Sequence, residues 1–94
     1  MLSETYYLIR SKADGRYLAA RPNEDDGSTF VLLFRESFDA LSYLNTHAGD
    51  LADRLGVETI SGTQIKTVLQ RWSFKGVGIV TDPLLPAIEF LVQS

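Results

Sequence analysis

The sequence predicts an α+β fold, a two-layer α/β sandwich in which a mixed sheet of about five or six strands carries two main helices on one face. Three observations indicate this class. Five consecutive apolar residues, Phe30–Phe34, suit a central strand covered on both sides. Asp14-Gly15 between two β-rich runs is typical of a hairpin turn. Two later segments repeat apolar residues at helical spacing, which gives the order β-β-β-α-β-α-β, with a last strand left open.

Composition is that of one globular domain, predicted to span residues 1–94, with 45% hydrophobic residues, 22% charged residues and a net charge of −3. The acidic balance argues against a general nucleic-acid binder. The absence of cysteine excludes disulfides, thiolate metal ligands and cysteine nucleophiles. Met1–Glu4 has no basic segment followed by an apolar run, so we expect no signal peptide, no membrane association and a cytoplasmic protein.

The N-terminal hairpin is predicted from Thr5–Lys12 and Arg16–Arg21. A type I′ turn at Asp14-Gly15 would pair Lys12 with Tyr17 and give Gly15 a positive φ. Strand alternation then gives the hairpin two sides. The core-facing side should carry Tyr7, Ile9, Ser11, Leu18 and Ala20. The solvent-facing side should carry Tyr6, Leu8, Arg10, Lys12, Tyr17, Ala19 and Arg21.

A loop is predicted at Pro22–Ser28, which contains the adjacent acids Glu24, Asp25 and Asp26. Calcium loops space their ligands alternately and add a distal acid, and this pattern is missing here. We therefore expect a solvated connection and no metal site.

The first helix is predicted to begin at Ser37, its N-cap, and to end at Thr46 or His47 before Gly49. Asp50–Gly56 is predicted to form one further helical turn. The apolar positions at helical spacing are Phe38, Leu41, Leu44 and Ala48.

The second helix follows a short strand candidate, Val57–Ile60, and Ser61 with Gln64 fits a capping box at its start. The helix should end near Ser73–Phe74 before Gly76. Its apolar stripe consists of Ile65, Val68, Leu69 and Trp72. Trp72 is expected in the core, with a partly exposed stacking role left open.

The C-terminal part contains one further strand, Val77–Thr81, in which Gly78 predicts the close approach of a neighbour. Pro86–Val92 alternates apolar residues with Glu89, which predicts a final strand. The spacing of Leu84, Ile88 and Leu91 also allows a helix.

Residues 30–82 resemble a known pattern: FVLLF, then ESFDALSYL, then V-x-x-I-S-G leading into TQIKTVLQRW and GVGIVTDP. The order resembles the N-terminal domain of the enhanced-serine-sensitivity family and small uncharacterised α/β proteins of photosynthetic bacteria. The resemblance implies a compact bacterial α/β domain with a non-enzymatic role. It supplies no catalytic residue to carry over.

Chemical motifs are few. Gly76-Val77-Gly78 has no following GxxG, so a dinucleotide fingerprint fails, and no serine nucleophile elbow is found. His47 is the only histidine and is expected at a helix C-terminus, where it would interact favourably with the dipole. Asp82 is expected to cap the Asp-Pro turn. The sequence therefore predicts no catalytic residue, metal or cofactor, and does not favour an enzyme.

The solvent-facing side of the hairpin offers one candidate binding surface, composed of Tyr6, Arg10, Lys12, Tyr17 and Arg21. Tyrosine and arginine are favoured at protein interfaces. We therefore expect a non-enzymatic protein-interaction or regulatory module that binds an unknown protein or a copy of itself. The alternative is a nucleic-acid or anion-binding module, because arginine and lysine beside tyrosine can meet phosphates and stack bases. Such residues also suit any strand that faces water.

Overall fold

The computed structural model describes residues 5–23 and 25–92. It has a mixed sheet with helices, so the predicted α+β class is confirmed. Residues 87–92 form a strand, which decides between the two readings of the C-terminal segment. The elements are β1 (Thr5–Ser11), β2 (Ala19–Ala20), β3 (Phe30–Phe34), α1 (Ser37–His47), a 3₁₀ segment (Gly49–Arg54), β4 (Leu55–Ser61), α2 (Gly62–Arg71), β5 (Gly76–Asp82) and β6 (Ala87–Val92).

The sheet has the strand order β4-β1-β3-β5-β6, and the short β2 pairs with β3 outside this path. All five residues of β3 are buried, which agrees with the predicted central strand. β3 and β5 are parallel, with Phe34 beside Val80. The other pairings are antiparallel, and β6 pairs with β5 from Gly76 beside Val92 to Asp82 beside Ala87.

The two helices contact opposite faces of the sheet. Leu8 of β1 packs in one buried cluster with Ile65 and Leu69 of α2. Its neighbour Ile9 packs in a second cluster with Ala40 and Leu44 of α1. Successive residues of a strand point to opposite faces, so each helix covers its own face, here called the α1 face and the α2 face. The prediction that both helices lie on one face is therefore wrong.

The strand order explains this placement. Strands β3, β4 and β5 are parallel to one another, because β1 is antiparallel to both β3 and β4. The connection through α1 runs from β3 past β1 to β4, and the connection through α2 returns past β1 and β3 to β5. Right-handed crossovers that run in opposite directions place their helices on opposite faces. A sequence that does not reveal strand order cannot reveal this reversal.

Helix α1 has the predicted span but a different buried side. Its N-cap is Glu36 rather than Ser37, without a side-chain cap. Ala40 and Leu44 are buried, whereas Phe38 and Leu41 are exposed. The predicted apolar stripe is therefore correct for Leu44 and wrong for Phe38 and Leu41.

Helix α2 begins with the predicted capping box. Ser61 Oγ accepts a hydrogen bond from the Gln64 amide at 3.3 Å, and Gln64 Oε1 accepts one from the Ser61 amide at 2.9 Å. Ile65 and Leu69 are buried as expected. The helix ends at Arg71, and Trp72 is partly exposed with its ring edge-on to Tyr17, 5.6 Å between centroids. Trp72 thus borders the core rather than lying inside it.

The N-terminal hairpin has a wider turn than predicted. Arg10 pairs with Tyr17, so the predicted pairing of Lys12 with Tyr17 is wrong by two residues. Gly15 has the predicted positive φ, 74°. The Asp14 carboxylate accepts a hydrogen bond from the Arg16 amide at 3.0 Å, which is the local bond that shapes the turn. Because side chains alternate with a period of two, a shift of two residues keeps each side chain on the same side of the hairpin as predicted.

Candidate interaction surface

The predicted hairpin surface is not an open sheet face. Tyr6 is only 8% exposed and packs in the cluster that contains Ile65 and Leu69 of α2. Leu8, on the same side of β1, is fully buried. The part of this side that contains Tyr6 and Leu8 is therefore covered by α2 instead of facing solvent, and Tyr6 is not available to a partner.

Arg10 is engaged within the molecule. Its Nε donates a hydrogen bond to the Gly15 carbonyl at 2.9 Å, and its Nη1 lies 3.5 Å from Glu58 Oε1. Its guanidinium carbon lies 4.9 Å from the centre of the Tyr17 ring, within the range of a cation–π contact. Tyr17 itself is half-buried between this guanidinium and Trp72. These contacts engage Nε and Nη1 of Arg10 and one face of the Tyr17 ring.

Lys12 and Arg21 are exposed. Glu58 lies opposite Leu8 on the neighbouring strand β4 and offsets the charge of Arg10. The structure thus brings Arg10 and Tyr17 together, buries Tyr6, and leaves Lys12 and Arg21 as surface cations.

A different surface is formed by β6, the last strand of the sheet. Within residues 5–23 and 25–92, β5 is the one strand that pairs with β6, so its outer edge carries backbone groups without a strand partner. Phe90, Leu91 and Val92 are 36%, 44% and 61% exposed. Unpaired backbone combined with exposed apolar side chains is the feature that natural edge strands usually avoid. We call this outer edge, with these three side chains, the β6 edge.

Two glycines of β5 bring β6 close to the sheet. A Cβ atom at Gly78 would lie 3.0–3.1 Å from side-chain atoms of Ile88, Leu32 and Phe90, so the predicted close approach at Gly78 is confirmed. A Cβ atom at Gly76 would collide with the main-chain carbonyl oxygen of Leu91. The Phe90 ring also packs edge-on against Phe30, 5.1 Å between centroids. These contacts hold β6 against β5 on its inner side. No other described strand pairs with its outer edge.

The turn between β5 and β6 is also apolar at its surface. The Asp82 carboxylate accepts hydrogen bonds from the amides of Leu84 at 2.9 Å and Leu85 at 3.3 Å, which confirms its predicted role in the turn. Leu84 and Leu85 are 62% and 77% exposed. His47, at the end of α1, donates from Nε2 to the Pro83 carbonyl at 2.9 Å and so connects the helix to this turn.

The exposed side chains differ between the two edge strands of the sheet. Each strand contains one charged residue, Glu58 in β4 and Glu89 in β6. The other exposed residue of β4 is the polar Thr59, whereas β6 also exposes Phe90, Leu91 and Val92. The β6 edge is therefore the more apolar of the two.

Other candidate sites are weaker. In the parts of the chain that the structure describes, no group of three or more histidine, cysteine or acidic side chains could hold a metal ion. Asp26 instead accepts a hydrogen bond from the Ser28 amide at 2.8 Å, which lowers its pKa, while Glu24 lies outside the described residues. A small pocket of about 180 Å³ beside Arg10 has the Arg10–Glu58 ion pair at its lining. No described helix is long and apolar enough to cross a membrane.

The sequence contains a signal for the strand β6, namely the long apolar C-terminal segment with its single charge. That signal does not tell an edge strand from a central one. No family model, curated protein or solved structure matches the chain. The resemblance to the enhanced-serine-sensitivity family therefore stays a prediction.

Proposed function

We propose that this chain is a non-enzymatic protein-interaction module that binds its partner by strand addition to the β6 edge. The observation that carries this proposal is the combination of an outer edge that no described strand pairs with and the exposed side chains of Phe90, Leu91 and Val92. An added strand would satisfy the backbone groups of β6 by main-chain hydrogen bonds and would cover the apolar side chains. The exposed leucines of the preceding turn, Leu84 and Leu85, extend the apolar contact at one end.

Nucleic-acid or anion binding by the hairpin has less support. Base stacking needs accessible aromatic rings, and Tyr6 is buried beneath α2. Phosphate binding needs available cations. Of the three cations on this side of the hairpin, Arg10 already contacts Glu58 and the Gly15 carbonyl, which leaves Lys12 and Arg21 exposed. A net charge of −3 adds a general repulsion.

The test is a comparison of two double variants as tagged baits in native extract. Leu91→Lys with Val92→Lys places two charges on the β6 edge, at positions already exposed to solvent. Thr59→Lys with Gln70→Lys makes the same change in charge at exposed positions of β4 and α2. Both variants should melt like the wild type, because exposed substitutions usually change stability by less than about 0.5 kcal/mol.

We expect the wild type and the β4/α2 control to retain the same protein, either another chain or an untagged copy of this one. The β6 variant should lose it. Retention by all three baits, or loss with both double variants alike, would contradict strand addition at β6.

A further inference from the structure

The α2 face of the sheet contains a small pocket that the proposed function does not use. It lies between β1, β4 and α2 beside Tyr17 and has a volume of about 180 Å³. We infer that this pocket binds a free α-amino acid with an apolar side chain. The inference does not depend on the β6 edge, which lies at the other end of the strand order.

One part of the pocket lining is apolar. Leu8 and Ile60 are buried on the α2 face, and Val68 of α2 packs against the same cluster and is half-buried. Drug-sized ligands occupy pockets of about 300–1,000 Å³, so a volume of about 180 Å³ suits a smaller molecule. This part of the lining therefore suits a short apolar side chain.

The other part of the lining carries one charge of each sign. Glu58 lies directly opposite Leu8 on β4, and Arg10 follows Leu8 by two residues on β1, so both belong to the α2 face. Nη1 of Arg10 lies 3.5 Å from Oε1 of Glu58, which is longer than the about 2.7–2.9 Å of a close charge-assisted hydrogen bond. A guanidinium has five N–H donors and a carboxylate about four acceptor sites, so both groups retain capacity for a ligand.

The short distance between these two charges indicates the class of ligand. An anion alone would meet the Glu58 carboxylate and a cation alone would meet the Arg10 guanidinium, and like charges repel. A free α-amino acid carries its carboxylate and its ammonium group on one carbon atom. It can therefore accept hydrogen bonds from Arg10 and donate to Glu58 at the same time, while its side chain covers Leu8 and Val68. Longer zwitterions hold their charges farther apart than the 3.5 Å contact between Arg10 and Glu58 requires.

The guanidinium of Arg10 is held in place by the hairpin. Its Nε donates to the Gly15 carbonyl at 2.9 Å, and its central carbon lies 4.9 Å from the centre of the Tyr17 ring. A side chain that is already ordered loses less conformational entropy when it binds a ligand. Gln64 adds a neutral donor to the lining, because the capping box of α2 uses its Oε1 and not its Nε2.

An NMR titration of the isotope-labelled full chain tests the site. The probes are L-leucine, isoamylamine, which is leucine without the carboxylate, and isocaproate, which is leucine without the ammonium group. We expect saturable shifts with L-leucine at the backbone amides of residues 8–10, 58–60 and 64–68. Each analogue should bind about tenfold or more weakly, because a hydrogen bond to a charged group contributes about this factor.

Two variants test the role of Glu58. Glu58→Gln removes the negative charge of the pocket and keeps the size of the side chain, and Glu89→Gln makes the same change on β6. Both residues are exposed, so both variants should fold like the wild type. Glu58→Gln should bind L-leucine about tenfold more weakly and should no longer prefer it to isocaproate. Glu89→Gln should bind all three probes like the wild type.

Four results would overturn the inference. The first is the absence of saturable shifts with L-leucine up to tens of millimolar, and the second is equal binding of the three probes. The third is a set of L-leucine shifts centred on residues 45–51, which line a separate cavity at the end of α1. The fourth is equal affinity of Glu58→Gln and Glu89→Gln for L-leucine.

Discussion

Replacement of Leu32 by alanine should be among the most destabilising changes in the chain. Leu32 is 1% exposed at the middle of β3, and it packs on the α1 face with Ile9, Phe34 and Val80. Gly78 lies opposite Leu32 on β5 and has no side chain that could fill a cavity left by the substitution. The substitution therefore removes a fully buried side chain at the centre of the sheet.

The magnitude follows from the atoms that are lost. Leucine to alanine removes three carbon groups, each worth about 0.8 kcal/mol of transfer free energy, so this part is about 2.4 kcal/mol. The cavity adds to this, and measured leucine-to-alanine costs in other cores span about 2.7–5.0 kcal/mol. Ile88 and Phe90 line the space beside Gly78 together with Leu32. The neighbours of a deleted core side chain generally relax only in part toward the cavity. We expect a loss of about 3–4 kcal/mol in the free energy of unfolding.

The assay is urea denaturation at pH 7, with Leu41→Ala as the matched control. Leu41 lies on α1, away from the β6 edge, and is 48% exposed, so the same chemical change there should cost only about 1 kcal/mol. In thermal melting, the Leu32 variant should lose roughly 12 °C or more, because 1 kcal/mol corresponds to about 4–8 °C in a domain of this size. A loss equal to or below that of Leu41→Ala would refute the central position of β3.

Three further predictions concern local structure. Gly15→Val should destabilise more than an ordinary surface change in urea denaturation, because valine is strained at a φ of 74°. Ser61→Ala should cost about 1 kcal/mol by removing the capping oxygen of α2, and a cost near zero would contradict the capping box. The hydrogen bond from the Arg16 amide is the main reason that the pKa of the Asp14 carboxyl lies below its ordinary value of 3.8. The contribution of Asp14 to folding stability is therefore present above the unfolded-state pKa and is lost as the pH falls through the folded-state pKa. Urea midpoints from pH 7 to pH 2 should therefore fall less steeply for Asp14→Asn than for the wild type, and identical slopes would contradict this.

Local signals predicted the elements whose causes are local. The capping box of Ser61 and Gln64 depends on residues three apart, and the buried strand Phe30–Phe34 depends on its own apolar run. The positive φ of Gly15 follows from turn chemistry in the same way. Each of these features is determined within a few residues, so the sequence is sufficient to predict it.

Features that depend on strand order were not predictable in the same way. The burial of Tyr6 requires α2 to cover the face opposite α1, and this follows from the reversal of direction between the two crossovers. One sequence signal for it exists, since Tyr6–Ile9 is apolar at four consecutive positions, like the central strand. The edge position of β6 has no such signal, because an apolar strand has the same sequence pattern at an edge and in the middle of a sheet.

The absence of a side chain at Gly78 sets how large the side chain at position 90 can be. The Phe90 ring reaches the space that a side chain at 78 would fill, so one volume is divided between neighbouring strands. Coevolution should follow this division: a homologue with alanine or valine at 78 should carry a smaller residue at 90. In such a homologue, a small residue at position 90 would reflect the larger residue at position 78. It would not by itself indicate the loss of an interaction surface.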